Sequence, residues 1–214
     1  MQATVKDIYR TIAGAIGLFA VGFQYWSIVL QRSDGAVFTP TVHFFSFFTI
    51  LTNILAVLAL LLPVVAPASR IGRFLDRPSV RTAIAGYIIM VGTVYYLLLR
   101  NLGQEEGWTL FFEHVLHYVT PPLFVLDWLL FVRTGEVAFR NGILCLGFPA
   151  LYVAWTLAHG AATGWYPYPF VDVPELGYPR ALLNIAGLVV AFLALELVLV
   201  AIGRGIARLA AGKR

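Results

Sequence analysis

Two polar side chains that could act as a nucleophile and its base lie in otherwise apolar stretches of the sequence. Thr49 follows two phenylalanines, and His117 lies in an apolar block that also contains Glu113, His114 and Asp127. A hydroxyl attacks an ester carbonyl when a neighbouring base accepts its proton, and neutral imidazole is the usual base near pH 7. The two residue types therefore suit ester hydrolysis, provided that the fold brings Thr49 and His117 together.

Five further side chains could assist such a reaction. Glu113, one helical turn before the histidine, could orient the imidazole, with His114 and Asp172 as alternatives. Asn53 or Thr52 could donate hydrogen bonds to the oxyanion that forms when the carbonyl is attacked. The hydroxyl of Thr52 is also a rival nucleophile, one helical turn deeper than that of Thr49.

The elements that carry these residues are long apolar blocks. Of the 214 residues, 60% are apolar and only 12% are charged, whereas about a quarter are charged in an ordinary soluble domain. A helix needs about 20 residues to cross the hydrocarbon layer, and backbone groups in lipid need internal partners. The sequence therefore predicts an all-α protein, a single bundle of six transmembrane helices over residues 11–30, 42–65, 82–99, 108–132, 141–163 and 181–202.

The lysines and arginines predict the orientation of this bundle. Twelve of the fifteen lie on the side of the predicted membrane that holds both chain ends, and three lie on the other side: Arg32, Arg100 and Arg180. Positive residues are retained in the cytoplasm, so both termini are predicted to be cytoplasmic and the protein to span the cytoplasmic membrane. Because these charges flank apolar blocks, the net charge of +4 does not indicate nucleic-acid binding.

Helix geometry places the two chemically suited residues at one depth. Thr49 and His117 each lie seven residues, roughly 10 Å, below the outer end of their blocks. If helices alternate through the membrane, the second and fourth blocks both begin at the outer face and run inward. The hydroxyl and the imidazole are therefore expected at one level near the outer face, where a substrate would have to be lipid-like.

Polar residues follow one face of two predicted helices: Ser46, Thr49 and Asn53 in the second block, and Glu113, His117, Thr120 and Asp127 in the fourth. Such a stripe in a membrane helix should face the bundle interior or a wet cavity. Asp127 lies at a depth similar to that of Glu196 in the sixth block. A structural hydrogen-bonded pair is predicted for these two carboxyl groups, with a proton path as the alternative.

The last outer loop, residues 164–180, contains four prolines and several aromatic residues. Trp165, Tyr168 and Phe170 are predicted to bind the apolar part of a substrate. This composition is consistent with a stiff cap folded over an outer cavity, and also with a loop resting in the lipid headgroup layer.

Three short motifs occur in the second block, the fourth block and the last loop: Phe47-Phe48-Thr49, His114-Val-Leu-His117 and Tyr168-Pro169-Phe170. They resemble the Phe-Leu-Thr, His-x-x-His and Tyr-Pro-Phe elements of the androgen-induced and androgen-dependent membrane hydrolases. Bacterial six-span membrane proteins with a similar Asp127-Trp128 feature share this resemblance. It implies a threonine hydrolase of fatty acid esters of hydroxy fatty acids, in which Thr49 is the nucleophile and His117 its base.

The sequence departs from that family at two places that matter for charge. Glu113 stands where the hydrolases carry asparagine, and Thr52-Asn53 stands where they carry aspartate near the nucleophile. These changes alter the charge around the site, so the family's substrate does not carry over directly.

Two other classes of protein compete with this interpretation. Outer histidines could hold haem or a metal ion, but no two have the i, i+4 spacing of a helical metal pair, and Cys145 lies on the other side. A transporter could use Asp127 and Glu196, but the chain has no internal repeat of the kind many transporters show. We expect a hydrolase without cofactor or metal, whose partners are a lipid substrate and the bilayer, and which binds no nucleic acid. The physiological lipid and the oligomeric state stay open.

Overall fold

The computed structural model describes residues 4–31, 35–103, 105–132, 135 and 137–211, and every regular element in these ranges is helical. The α-helices are α1 (Val5–Tyr25), α2 (Phe38–Phe45), α3 (Phe48–Val65), α4 (Arg70–Leu75), α5 (Pro78–Val94), α6 (Gly107–His114), α7 (Thr120–Phe131), α8 (Phe139–Leu144), α9 (Gly147–Thr163) and α10 (Val173–Ala211). Wider π turns follow three of them: Trp26–Leu30 after α1, Tyr95–Leu99 after α5, and Val115–Val119 between α6 and α7.

Five helical segments in the described chain are long and apolar enough to cross a membrane: Val5–Leu30, Phe48–Val65, Pro78–Leu99, Phe139–Thr163 and Val173–Ala211. Large apolar side chains such as Leu151 and Val190 point outward from these helices. An apolar exterior of this kind suits a bundle surrounded by lipid. The regular elements of the described residues are therefore all helical, as predicted, and the five apolar helices are compatible with a multi-pass membrane protein. The predicted fourth span forms one helical run over residues 107–131 but is not among the five.

Small residues let α1 pack closely on α3, the helix that carries Thr49. A Cβ atom added at Gly14 would lie 2.6 Å from the side chain of Leu61, and one added at Gly17 would lie 2.8 Å from Val57. Contacts this short require glycine, because a real side chain would push the helices apart. Close packing through small residues is the usual way in which membrane helices associate.

The second span, predicted as one continuous helix over residues 42–65, is interrupted. The chain turns between α2 and α3, where Phe47 adopts an extended backbone with φ −82° and ψ 127°. The carbonyl of Ser46 accepts a hydrogen bond from Tyr152 of α9, and its hydroxyl accepts one from Trp155, each 3.0 Å long. The bond from Tyr152 satisfies a backbone carbonyl at the break, and both bonds connect the interruption to α9.

Asp127 belongs to a buried ion-pair network and not to a pair with Glu196, so that prediction is wrong. Its carboxylate accepts a hydrogen bond from Arg10 Nε at 2.7 Å and a second from Arg81. Arg10 also donates to Asp76 at 2.7 Å. Glu196 is buried elsewhere, with its carboxylate against Gly86 of α5 and beside the thiol of Cys145. Asp127 thus connects three helices of the core, α1, α5 and α7.

We expect Asp127→Asn to lower the thermal stability of the purified protein strongly. The change leaves the Arg10 and Arg81 side chains, which are 1% and 0% exposed, without their shared anion. Removing one partner of a buried ion pair costs about 3–5 kcal/mol. Asp76→Asn is the matched control, because Asp76 also bonds Arg10 but is 41% exposed, and exposed pairs contribute about 0–1 kcal/mol. Equal losses of Tm in the two variants, measured in detergent, would contradict a buried role for Asp127.

Candidate active site

Thr49 and His117 lie in contact at the meeting point of α3 and the π turn Val115–Val119. The Oγ1 atom of Thr49 is 3.3 Å from Nε2 of His117, and the two residues are only 9% and 7% exposed. The depth argument from the sequence predicted this juxtaposition, and the structure confirms it. A hydroxyl and an imidazole at this distance can form the hydrogen bond through which a proton passes from one to the other.

The tautomer of His117 is determined by the hydrogen bond that its Nδ1 atom makes. Nδ1 lies 2.8 Å from the backbone carbonyl oxygen of Glu113, which can only accept a hydrogen bond. Nδ1 must therefore carry the proton, and Nε2 presents its lone pair to Thr49. The ring of Tyr95 stacks on the imidazole, with centroids 3.8 Å apart and an interplanar angle of 17°. The imidazole is held in the orientation that a general base requires.

The orienting group is thus a backbone carbonyl and not one of the three predicted side chains. The Glu113 carboxylate lines a cavity beside the site instead of contacting the imidazole. His114 is exposed and packs edge-on against Tyr95. Asp172 accepts a hydrogen bond from the backbone N–H of Glu175 at 3.3 Å, at the start of α10. The predicted orienting roles of these side chains are corrected accordingly.

The π turn changes which residues share a face of this helical run. A π turn contains one residue more than an α turn and is often found at functional sites. The helical phase is shifted after residue 119, so the stripe predicted from Glu113 to Asp127 does not continue as one face. His117 faces Thr49, whereas Thr120 packs near Gly17 of α1.

Thr49 lies in the first turn of α3, because the helix begins immediately after the break. The N–H groups of this first turn have no carbonyl partner within the helix. The Thr49 N–H donates to the hydroxyl oxygen of Tyr168 at 3.3 Å, and the same oxygen is 3.4 Å from Thr49 Oγ1. Backbone donors at a helix N-terminus favour negative charge. An oxyanion that forms on the attacked carbonyl would meet suitable donors here.

The residues predicted as oxyanion donors are placed elsewhere by the structure. Asn53 donates to the carbonyls of Thr49 at 2.9 Å and Leu116 at 3.3 Å. It therefore ties α3 to the π turn that carries His117. Thr52 is fully buried, and neither of the two cavities that reach Thr49 is lined by it. Ser46, predicted to share a stripe with Thr49, lies in the turn before α3 and bonds to α9.

Two cavities meet at Thr49. The wider one has a volume of about 400 Å³ and contains the polar side chains of the site, including Gln24 and His117. The narrower one, about 80 Å³, lies between α5, α9 and α10 and is lined mainly by apolar side chains: Phe48, Met90, Val91, Val94, Leu99, Pro149, Val153, Phe170, Val171, Ile185, Leu188, Val189 and Phe192. Thr49 and Tyr168 line both cavities, so both cavities open at the Thr49 hydroxyl.

The loop before α10 covers these cavities, as the cap interpretation predicted. Tyr168 lines both of them, Phe170 lines the narrow one, and Pro167 lines the wide one. The side-chain amide of Asn184 donates to the carbonyl of Phe170 at 2.8 Å and fastens the loop to α10. Burial raises the pKa of Tyr168, so its hydroxyl remains protonated near neutral pH and can donate a hydrogen bond.

Trp165, the third residue predicted to bind substrate, lines neither cavity. Its ring stacks on that of His43, with centroids 3.8 Å apart and planes 7° apart, and His159 packs edge-on against both. These three rings form a separate aromatic cluster at the end of the bundle. Within the described residues, no three His, Cys, Asp or Glu side chains lie close enough together to hold a metal ion.

Comparison with protein-family models, with curated proteins and with solved structures finds no match to this chain. The resemblance to the membrane hydrolases therefore has no support beyond its short motifs. A function for the chain has to be argued from the contacts that the motif residues make.

Two features of the site are absent from the sequence interpretation. Tyr95 stacks on His117, and Gln24 lines the wide cavity at 3% exposure. Depth in the membrane could have indicated that Tyr95 belongs to the site, because Tyr95 lies four residues from the outer end of its predicted span. Gln24 is a polar residue within an apolar block, which is itself a signal of an interior or functional position.

Proposed function

We propose that this protein is a membrane-embedded hydrolase of fatty acyl esters that uses Thr49 as nucleophile and His117 as general base. The observation that carries the proposal is the 3.3 Å contact between Thr49 Oγ1 and the unprotonated Nε2 of His117. The apolar cavity that opens at the same hydroxyl supports a fatty acyl substrate. The three motifs of the membrane hydrolases also converge on this point.

The reaction follows from the positions of these groups. Thr49 Oγ1 attacks the ester carbonyl carbon while Nε2 of His117 takes the hydroxyl proton, and the carbonyl electrons move to its oxygen. That oxyanion accepts hydrogen bonds from the Thr49 N–H and the Tyr168 hydroxyl. Its collapse breaks the bond to the alcohol, which leaves with the proton from His117. Water, deprotonated by the same imidazole, then hydrolyses the acyl-threonine and releases the fatty acid.

The membrane arrangement we propose has six crossings, with residues 107–131 as the fourth and both termini in the cytoplasm. This run of 25 residues would be about 37 Å long at 1.5 Å per residue, enough to span the bilayer. Its most polar groups have partners inside the protein: Asp127 bonds two arginines and His117 contacts Thr49. The distribution of lysines and arginines supports the orientation, with the cytoplasmic membrane as the location.

This topology predicts which single cysteines an impermeant maleimide labels in intact cells. In a Cys145→Ala background, Leu102→Cys and Ala162→Cys should react, because both positions are exposed at the outer ends of their helices. Ala68→Cys and Ala210→Cys, exposed at the opposite ends, should react only after the membrane is opened. Labelling of the second pair alone would invert the orientation, and a mixed pattern within either pair would contradict six crossings.

Turnover of a long-chain fatty acyl ester by the purified protein tests the proposed reaction. Thr49→Ser should retain part of the activity, because the hydroxyl survives but loses the methyl group that restricts its rotamer. Thr52→Ala is the matched control, since Thr52 is a buried threonine one turn further along the same helix and lines neither cavity. Full activity in Thr49→Ala, or loss only in Thr52→Ala, would contradict the assignment.

A further inference from the structure

We propose that the protein has a second binding site, for an anionic phospholipid, at the end of the bundle opposite to Thr49. The phosphate of the lipid contacts Arg77, and one of its acyl chains enters a further cavity, the inner cavity, while the other chain remains in the bilayer. No described residue that lines the inner cavity also lines the two cavities at Thr49. The site is independent of the proposed hydrolysis, and the proposed orientation assigns it to the cytoplasmic leaflet.

The inner cavity lies between α4 and α5 on one side and α8 on the other. Its volume is about 430 Å³, within the range of roughly 300–1,000 Å³ that is typical of ligand pockets. It extends along α5 from Ser79 to Tyr87, a rise of roughly 12 Å at 1.5 Å per residue. Its length and volume therefore suit one acyl chain, and not a whole phospholipid.

The deep part of the inner cavity is apolar. Its wall there includes Ala83, Ile84 and Phe148. The hydroxyl of Tyr87, at the deep end, already donates its hydrogen to the backbone carbonyl of Cys145. A polar ligand group at this depth would lose its hydration without gaining these partners, whereas an acyl chain has no hydration to lose.

The mouth of the inner cavity carries a cation and two neutral hydrogen-bond donors. Arg77 is exposed there, and its guanidinium lies over the ring of Phe74, 5.7 Å from the ring centre. Ser79 of α5 and Asn141 of α8 are half-buried on opposite walls and provide a hydroxyl and a side-chain amide. A guanidinium with neutral donors suits a phosphate group. The phosphate of a lipid is thus held where the apolar cavity opens.

The charges around this mouth favour a headgroup that is negative overall. None of the described residues that line the inner cavity is acidic, and the neighbouring Asp76 is already paired with Arg10 and Arg81. Arg140, exposed in the first turn of α8, adds a second positive charge near the opposite wall. Basic residues at the cytoplasmic ends of membrane helices attract anionic lipids in this way.

Native mass spectrometry of the purified, delipidated protein tests the headgroup preference. Dioleoyl phosphatidylglycerol and dioleoyl phosphatidylcholine are compared, because they differ only in the headgroup. One phosphatidylglycerol should be retained with an affinity at least about tenfold higher than that for phosphatidylcholine. Equal affinities would overturn the inference. Displacement of the lipid by excess glycerol 3-phosphate would also overturn it, since the site would then bind soluble phosphate esters.

Replacing the arginine at the mouth tests the proposed phosphate contact. Arg77→Gln should lower the affinity for phosphatidylglycerol to near that for phosphatidylcholine. Arg70→Gln is the matched control, because Arg70 is also exposed and lies in the adjacent α4 but does not line the cavity. Equal losses of affinity in the two variants would indicate general attraction to a basic surface and contradict a specific site.

A photoreactive group at the end of one acyl chain of phosphatidylglycerol locates that chain. Crosslinks should map to Tyr87 and Phe148, and those to Tyr87 should be lost in Arg77→Gln. Tyr87 is only 5% exposed, so lipids that merely surround the protein do not reach it. Crosslinks confined to outward-facing side chains such as Leu151 would overturn the inference. That result would leave the proposed hydrolase function standing, because the hydrolase is tested at Thr49.

Discussion

Replacing Thr49 by alanine is expected to lower ester turnover by about 10³-fold or more, and replacing His117 by alanine is expected to lower it by a similar amount. The double variant should be no slower than either single variant. The two side chains perform one step together, through the hydrogen bond between Oγ1 and Nε2, so once either is lost the other has no function. The measurement is kcat/KM for a long-chain ester with all three variants and the unaltered protein.

The matched control for this set of variants combines Thr52→Ala with His117→Ala. Thr52 is a buried threonine that has no contact with the imidazole, so the double variant should behave as His117→Ala alone. Losses that add for Thr49 and His117, with residual turnover in each single variant, would indicate separate structural roles and contradict a nucleophile–base pair.

Replacing Tyr168 by phenylalanine is expected to lower kcat by about 10²-fold or more with little change in KM. The hydroxyl, which lies 3.4 Å from Thr49 Oγ1 and 3.3 Å from its backbone nitrogen, would donate to the oxyanion only when the carbonyl is attacked. A group that acts mainly in the transition state affects kcat more than substrate binding. The phenylalanine ring preserves the packing of Tyr168 against Phe47 and Phe170.

Tyr166→Phe provides the comparison for Tyr168. Tyr166 belongs to the same loop and is equally buried, but it lines neither cavity. Its replacement should leave kcat and KM near those of the unaltered protein. Equal effects of the two changes, or a Tyr168→Phe effect confined to KM, would assign Tyr168 to substrate binding and not to the chemical step.

The meeting of Thr49 and His117 could be predicted from the sequence because depth in a membrane follows from residue count. The rise per residue is constant, and the ends of apolar blocks are sharp, so two residues seven positions from the outer ends must lie at one level. For the last outer loop, its prolines and aromatic residues allowed two interpretations, a cap over a cavity and a loop in the headgroup layer, and composition alone did not choose between them.

The local backbone geometry that orients Thr49 and His117 was not predicted from the sequence. The break before Thr49 occurs at Ser46 and Phe47, among phenylalanines, where no glycine or proline marks a helix end. It depends on hydrogen bonds from α9, more than 100 residues away in the chain. The π turn at His117 precedes Pro121 and Pro122, which lack the N–H groups that a regular helix would use there, and it shifts the face that simple periodicity assigns. The prolines indicate a distorted helix but not the direction in which the face shifts.

The pairing of Asp127 was mispredicted because arginines near the ends of apolar blocks were interpreted only as orientation signals. Arg10 and Arg81 lie at such ends, yet their long side chains reach inward and are almost completely buried against Asp127. A buried carboxylate needs a cation or donors more than it needs a second carboxylate. For buried ionisable groups, opposite charge is therefore a better predictor of pairing than equal depth in the membrane.

Covalent labelling with a fluorophosphonate ester probe tests the central claim most directly, because the probe reacts with an activated hydroxyl whatever the physiological lipid is. The purified protein is treated with the probe, digested, and the modified residue is identified by mass spectrometry. The account predicts a single adduct on the Thr49 hydroxyl, absent from Thr49→Ala and strongly reduced in His117→Ala. An adduct on another residue, or labelling of Thr49 that is unchanged when His117 is removed, would contradict it.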